Sequence, residues 1–270
     1  MRIDRPVDCR QRVRIRQGVT GPATEFHNGS SEMTSTLAIA LAPATASTKD
    51  VILDAAERVF GRSGFAGSSM REISTEADVA QALLHYHFKC KDALYREVFR
   101  RRSTVIVEYR RAKLRELFES GAAPTLEDVL AIVATPLLAI FGNAGQDTRY
   151  YLQMVGEVTV ATDERSVEIV STFYDPIGKE MVAAFMRVLP GLSEERANWA
   201  YLFAIGARLQ AHAHNHRAAR MGRQNAGRSP HELLVPFLAA GIRALAKLPN
   251  GGVRAPSGSG RRTGRTRTAA

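Results

Sequence analysis

The chain has 270 residues, 45% of them hydrophobic, enough for one sizeable core or two modest ones. Its formal net charge of +10 favours a polyanionic partner, nucleic acid or a membrane surface, without choosing between them, and with no apolar run near the ~18 residues that a membrane span needs, no transmembrane helix is expected. Cys9 and Cys90 stand in unlike contexts without partner spacing, which excludes a disulfide framework or a zinc finger and points to a reduced, cytoplasmic protein.

Residues 1–46 show no sustained period and hold clusters of Gly, Pro, Thr and Ser, the composition of a disordered arm. The apolar run TLAIALAPATAS, Thr36 to Ser47, follows Arg10, Arg12, Arg14 and Arg16 and loosely imitates a secretory signal. It is short and late in the chain, so it is set aside. Met33 offers an alternative point at which translation begins.

The first helix is expected from Thr48, as cap, with Val51, Ile52, Ala55, Ala56, Val59 and Phe60 as its buried stripe and Gly61 and Gly64 as its end. Ser69 and Glu72 have capping-box spacing, so a second helix starts at Met70 and breaks at Ala77-Asp78-Val79. A third runs through Gln81, Leu84 and Tyr86 to about Phe88, and a long fourth helix spans 93–120. Further helices are expected at 125–141, 149–161, 165–189 with a kink at Pro176, 193–217 and 230–247, with a polar loop over 221–229 between the last two. The stretch 249–270 has five arginines and no acid and reads as a flexible basic tail. Both terminal stretches add phosphate attraction of no sequence preference.

Three short helices with a tight turn before the third make a helix-turn-helix pattern. The second and third must pack through Ile73, Ala77, Val79 and Leu84, leaving Gln81, Ala82, Leu83, His85 and Tyr86 to face a major groove. Lys49, Ser69, Arg71, Lys89 and Lys91 stand where they can reach phosphates or neighbouring bases.

The stretch GFAGSSMREISTEADVAQALLHYHFKCKDALYREVF resembles the signature of the tetracycline-repressor (TetR) family. Gly64-Phe65, Ser69, Ile73, Ala77, Val79, Leu84, Phe88 and the Lys91-Asp92-Ala93-Leu94 step all fall in register, over roughly residues 48–98. It departs from that signature in the turn, where Asp78 replaces a glycine and Ala80 a serine cap, and in His85 and His87, where tyrosines are common. Asp78 and Gln81 have cap spacing, so the third helix is expected to begin one or two residues early.

The resemblance implies an all-α protein: a DNA-binding domain at 47–92, then a helical bundle at 93–248 that binds a ligand and dimerises through its last two helices. It implies a repressor that holds operator DNA as a homodimer and releases it to a small hydrophobic effector. The stretch RVLPGLSEERANWAYLFAIGARLQ resembles the matching part of regulators that sense fatty acids or hydrophobic compounds. Leu138, Phe141, Met154, Val158, Phe173, Met181, Phe185, Trp199 and Phe203 are the expected cavity lining.

An enzyme is the competing reading. His212, His214 and His216 cluster, and His212 and His216 share a helix face, but no Asp, Glu or Cys joins them; a polar helix end explains them better than a metal. No phosphate loop, nucleophile elbow or metalloprotease motif is present, so neither catalytic residues nor a cofactor is expected. A third reading, a non-specific DNA coater driven by the basic ends, differs in lacking sequence discrimination.

Overall fold

The computed structural model describes residues 47–142, 148–212, 220–221 and 230–249, which are helical with no strand among them. The expected arm at 1–46, the tail from 250, the loop at 222–229, and Cys9, His214 and His216 lie outside the described residues.

Helix α1 (Thr48–Gly67) is capped one residue earlier than expected, by Ser47, whose Oγ accepts from the Asp50 N–H. Ile52, Leu53, Ala55, Ala56, Val59 and Phe60 are buried, while Val51 faces outward and Leu53 takes up the stripe. Gly61 does not end the helix. A Cβ there would lie 2.6 Å from Cβ of Tyr150, so the glycine lets α1 and α7 (Thr148–Val160) approach closely. Gly64 breaks the helical path, at φ 66° and ψ 174°.

Helix α2 (Met70–Glu76) starts where the capping spacing predicts, with Ser69 Oγ accepting from the Glu72 N–H. After the turn come α3 (Gln81–His87) and α4 (Lys91–Glu119), the latter starting two residues earlier than read from sequence. Arg102 of α4 reaches across to the buried Glu57 of α1 with Nε and Nη2 at 2.7 and 2.8 Å, a two-pronged pair that locks the two helices together.

Two expected long helices are each broken in two. Thr125 and Asp128 form the expected capping box, but α5 (Leu126–Ala134) stops before Pro136, and α6 (Leu137–Phe141) begins after it. The proline holds Thr135 extended, at ψ 127°, and ends the helix. Pro176 likewise opens a new helix rather than kinking an old one: α8 (Glu164–Phe173) stops at Tyr174, and α9 (Asp175–Val188) carries the proline in its first turn, where no N–H is missed. The last two described helices are α10 (Glu194–His212) and α11 (Pro230–Ala246).

Two apolar clusters result. One joins α1, α2, α3 and the first half of α4 to Leu137, Tyr151, Met154, Val158 and Ile169; the other joins Leu114 of α4 to α5, α9, α10 and α11. Helix α4 passes through both, so apolar packing continues beyond residue 92 and ties the recognition helices to the body.

Candidate nucleic-acid interface and effector cavity

The geometry of the recognition helix begins in the turn before it. The Ala77 N–H closes α2 on the Ile73 carbonyl, and Asp78 then adopts φ 52°, the left-handed conformation that a glycine takes most readily. Asp78 is therefore not the cap that its spacing suggests. The N-cap of α3 is Ala80, which offers no side-chain acceptor. The Val79 N–H returns to the Ser74 carbonyl at 3.0 Å, which sets the angle between α2 and α3.

Leu84 is fully buried and Phe88 nearly so, and these two anchor α3. The opposite face presents Gln81, Ala82, Leu83, His85 and Tyr86 to solvent, with Tyr86 81% exposed. The ring meets that of His87 edge-on and lies outside the apolar core. Ser69, Arg71 and Lys89 are exposed beside this face.

Lys49 and Lys91 are committed elsewhere. Lys49 pairs with Glu97 at 2.7 Å. Glu97 is held at about 2 by hydrogen bonds from Arg100 and then Lys49, against the cost of its burial. Lys91 gives two of its three N–H bonds to the carbonyls of Phe65 and Ser68, at 2.7 and 2.9 Å, and lies over the Phe65 ring. Burial, and then the nearby Arg165, lower its pKa. The ammonium thus serves the orphan carbonyls after the Gly64 break.

The body contains a cavity of about 80 Å³. On α7 it is lined by Tyr151, Leu152, Val155 and Thr159, and on α10 by Tyr201, Leu202, Ile205, Arg208 and Leu209. Ile106 and Arg110 of α4, Leu137, Val170, Tyr174 and Asp175 complete the wall. The hydroxyls of Tyr151 and Tyr174 share a hydrogen bond, and burial raises the pKa of both. Tyr201 fits because Gly178 leaves room: a Cβ there would sit 3.0 Å from its ring.

None of the nine residues expected from sequence lines this cavity. Met154, Val158 and Phe173 pack in the first apolar cluster, with Phe141 stacked beneath Arg102; Met181 and Phe185 fill the second cluster. Leu138, Trp199 and Phe203 are exposed. The wall takes sequence neighbours of several of the nine, among them Leu137, Val155, Thr159 and Tyr174.

His212 engages the protein with both ring nitrogens. Nδ1 is 2.8 Å from the Arg208 carbonyl, and Nε2 accepts from the Leu137 N–H, which ties the end of α10 to the start of α6. Among the described residues no group of three His, Cys, Asp or Glu is placed to hold a metal. Nor is any described helix long and apolar enough to cross a membrane.

Two family profiles match this chain. Residues 52–98 match that of the bacterial regulatory proteins of the tetR family, and residues 131–241 match the tetracyclin repressor-like C-terminal domain; together they take in more than half of the chain. A Bacillus subtilis (strain 168) protein named "Probable HTH-type transcriptional regulator YttP" is 48% identical over 48 residues, which span 18% of this chain and 23% of that one. A crystal structure of a transcriptional regulator from Rhodococcus sp. Rha1 superposes with a TM-score of 0.51 at 21% identity, covering 74% of this chain and 96% of the other. A Pseudomonas aeruginosa PAO1 protein described as a transcriptional regulator superposes with a TM-score of 0.52 at 18% identity, over 73% of this chain and 89% of its own. At these identities the superpositions establish the fold.

Proposed function

The chain belongs to the TetR family of transcriptional regulators, and from that premise we propose that it is a repressor that binds a pseudo-palindromic operator as a homodimer and leaves it when a small hydrophobic molecule enters the body. Membership supports a DNA-binding regulator, and the family is not an enzyme class. Its division is into a recognition head at 47–92 and an effector-binding, dimerising body at 93–248, and it acts on DNA in the cytoplasm.

The observation that carries the reading is the exposed face of α3 standing on a buried Leu84. In this reading Gln81, Ala82, Leu83, His85 and Tyr86 enter the major groove, where Gln81 has the two-pronged geometry for adenine. Ser69, Arg71 and Lys89 take phosphates. Lys49 and Lys91 act indirectly, through their bonds to Glu97 and to the Phe65 and Ser68 carbonyls.

Dimerisation is supported by apolar side chains left in solvent on the last two helices: Trp199, Leu202 and Phe203 on α10, Leu233 and Phe237 on α11. Each is more than half exposed, and a patch of this kind marks an interface. A two-fold axis through it places two α3 helices about 34–36 Å apart or somewhat more. Release follows if an effector prefers one arrangement of α4, the covalent link between cavity and recognition helices. Coupling of this kind is typically about 5–150-fold in affinity.

The test is selection of random DNA fragments by the purified full-length protein, with sedimentation of the free protein. An inverted repeat and a dimer at micromolar concentration are expected. A stable monomer, or fragments enriched only for general phosphate binding and lost uniformly in salt, overturns the reading.

A further inference from the structure

The cavity holds two arginines whose charge no carboxylate among the described residues answers. Arg110 and Arg208 are 3% and 5% exposed. The Nε of Arg110, and the Nε and Nη2 of Arg208, have no hydrogen-bond partner among the described residues. Arg110 spends one N–H on Tyr201 Oη at 3.3 Å. The groups acting on Arg208 are Arg110, which repels its charge, and the hydroxyls of Tyr151, Tyr201 and Tyr174. The one carboxylate on the wall is Asp175, which is exposed at the start of α9. Desolvation of a guanidinium is costly, and unmet donors on two of them add to that cost.

Each arginine occupies the buried phase of its helix, which on α10 is small until Arg208 and then His212, and on α4 is mostly apolar. Arg208 continues the buried run Ala197, Ala200, Ala204 on α10; Arg110 stands between Ile106 and Leu114 on α4. Packing alone calls for apolar residues at both positions. Tyrosine hydroxyls lie near the guanidiniums, and the same wall carries the aliphatic Leu137, Leu152, Val155 and Val170.

From this we propose that the effector is an anion with an apolar body, its carboxylate or phosphate held by Arg110 and Arg208 and its hydrocarbon lying along the aliphatic wall. This rests on reading the body as the effector-binding part, and it sharpens the expected hydrophobic effector into an amphipathic one. Planar guanidiniums bind such groups through two parallel hydrogen bonds, and Arg110 and Arg208 approach the cavity from different helices, α4 and α10. A cavity of about 80 Å³ takes the head group and a few carbons. A longer chain leaves past Thr159, which lines the cavity and is exposed.

The test uses the full-length protein and four eight-carbon probes at constant ionic strength: octanoate, octyl phosphate, octanamide and octylamine. Calorimetry should show octanoate or octyl phosphate binding at least about tenfold more tightly than octanamide, with octylamine weakest, as expected for charge-assisted hydrogen bonds in a desolvated site. Their ratio distinguishes a carboxylate from a phosphate site. Arg208→Met should erase the preference and Arg208→Lys retain part of it; if the Met variant does not fold, the wild-type series decides alone. Equal binding of octanoate and octanamide, no binding of any probe, or full retention of the preference in Arg208→Met overturns the proposal. Operator affinity is read separately. Octanoate that binds through Arg208 and leaves operator affinity unchanged sinks ligand release but keeps the anion site. Release by octanamide as readily as by octanoate sinks the anion site but keeps ligand release.

Discussion

Two stretches of α4, its start and the turn around Arg110, treat charge differently. Near its start, cations are answered within the protein: Lys49 by Glu97, Arg58 and Arg62 by Glu76, Arg102 by Glu57. What remains outward on α3 is short, polar or aromatic. Further along, Arg110 and Arg208 are buried with donors unmet. The difference teaches what each region is waiting for. The head pairs several of its cations internally and leaves Arg71 and Lys89 exposed, which suits the proposed DNA surface. Among its described residues the body leaves two guanidiniums with unmet donors, which suits the proposed small, enclosed effector.

The strongest way to break this comparison is to separate the anchor of α3 from its face. Leu84→Ala removes a fully buried side chain, and about 2–5 kcal/mol of stability should go with it, taking operator binding along. Tyr86→Ala should leave stability within about 0.5 kcal/mol and still weaken operator binding roughly tenfold or more. Denaturant unfolding and fluorescence anisotropy with a selected operator give both numbers. If Tyr86→Ala lowers stability as Leu84→Ala does, the ring is part of the core and the division between anchor and face is lost.

A smaller effect sharpens the comparison within the cations of the head. Lys91→Met should cost about 1–3 kcal/mol of stability, since the Phe65 and Ser68 carbonyls lose charged donors in a half-buried place. Its effect on the salt dependence of operator binding should be slight. Lys89→Met should do the reverse: no stability change, and a salt slope reduced by about 1. A slope change on losing Lys91 and none on losing Lys89 would exchange their roles.

The head was largely legible in sequence because its constraints are local. Ser69 caps Glu72 three residues on, the turn lies between two short periodic runs, and Leu84 and Phe88 have helical spacing. The broken helices were legible in principle, since Pro136 and Pro176 stand inside the runs read as continuous; a proline ends a helix before itself more surely than it bends one. The cavity was not legible from large apolar residues. Met154, Met181 and Phe185 are chosen by hydrophobicity, and hydrophobicity selects the filled core, whereas a cavity wall holds what the core leaves over. The available signal was of the opposite kind: an arginine in the buried phase of α4 and another in that of α10. Close approach of helices distant in sequence has no local signal, which is why Gly61 reads as a helix end and acts as a contact with Tyr150.

The smallest effect concerns Asp78, in the turn that aims α3. At φ 52° an L residue carries a steric penalty that glycine lacks, and aspartate tolerates the region better than most because its short side chain can bond locally. Glycine would relieve that strain but give the unfolded chain more freedom, and the two oppose each other. The net expectation for Asp78→Gly is a gain of about 0.5 kcal/mol, and no more than about 1 kcal/mol. The substitution also removes an exposed negative charge in the turn before the proposed DNA-reading helix, so DNA of any sequence should bind more tightly at low salt. Asp78→Asn separates the two contributions. Asparagine keeps the tolerance of the left-handed region and loses the charge, so it should raise DNA affinity with stability unchanged. Asp78→Ala loses both the charge and the local bonding, and should cost about 1 kcal/mol. If glycine and asparagine raise DNA affinity equally and only glycine gains stability, the turn works as the geometry implies: the backbone sets the angle of α3, and the carboxylate contributes repulsion alone. If glycine instead loses both stability and sequence preference, the Asp78 side chain itself holds the turn, and the missing side-chain cap at Ala80 must be looked for in the DNA-bound form.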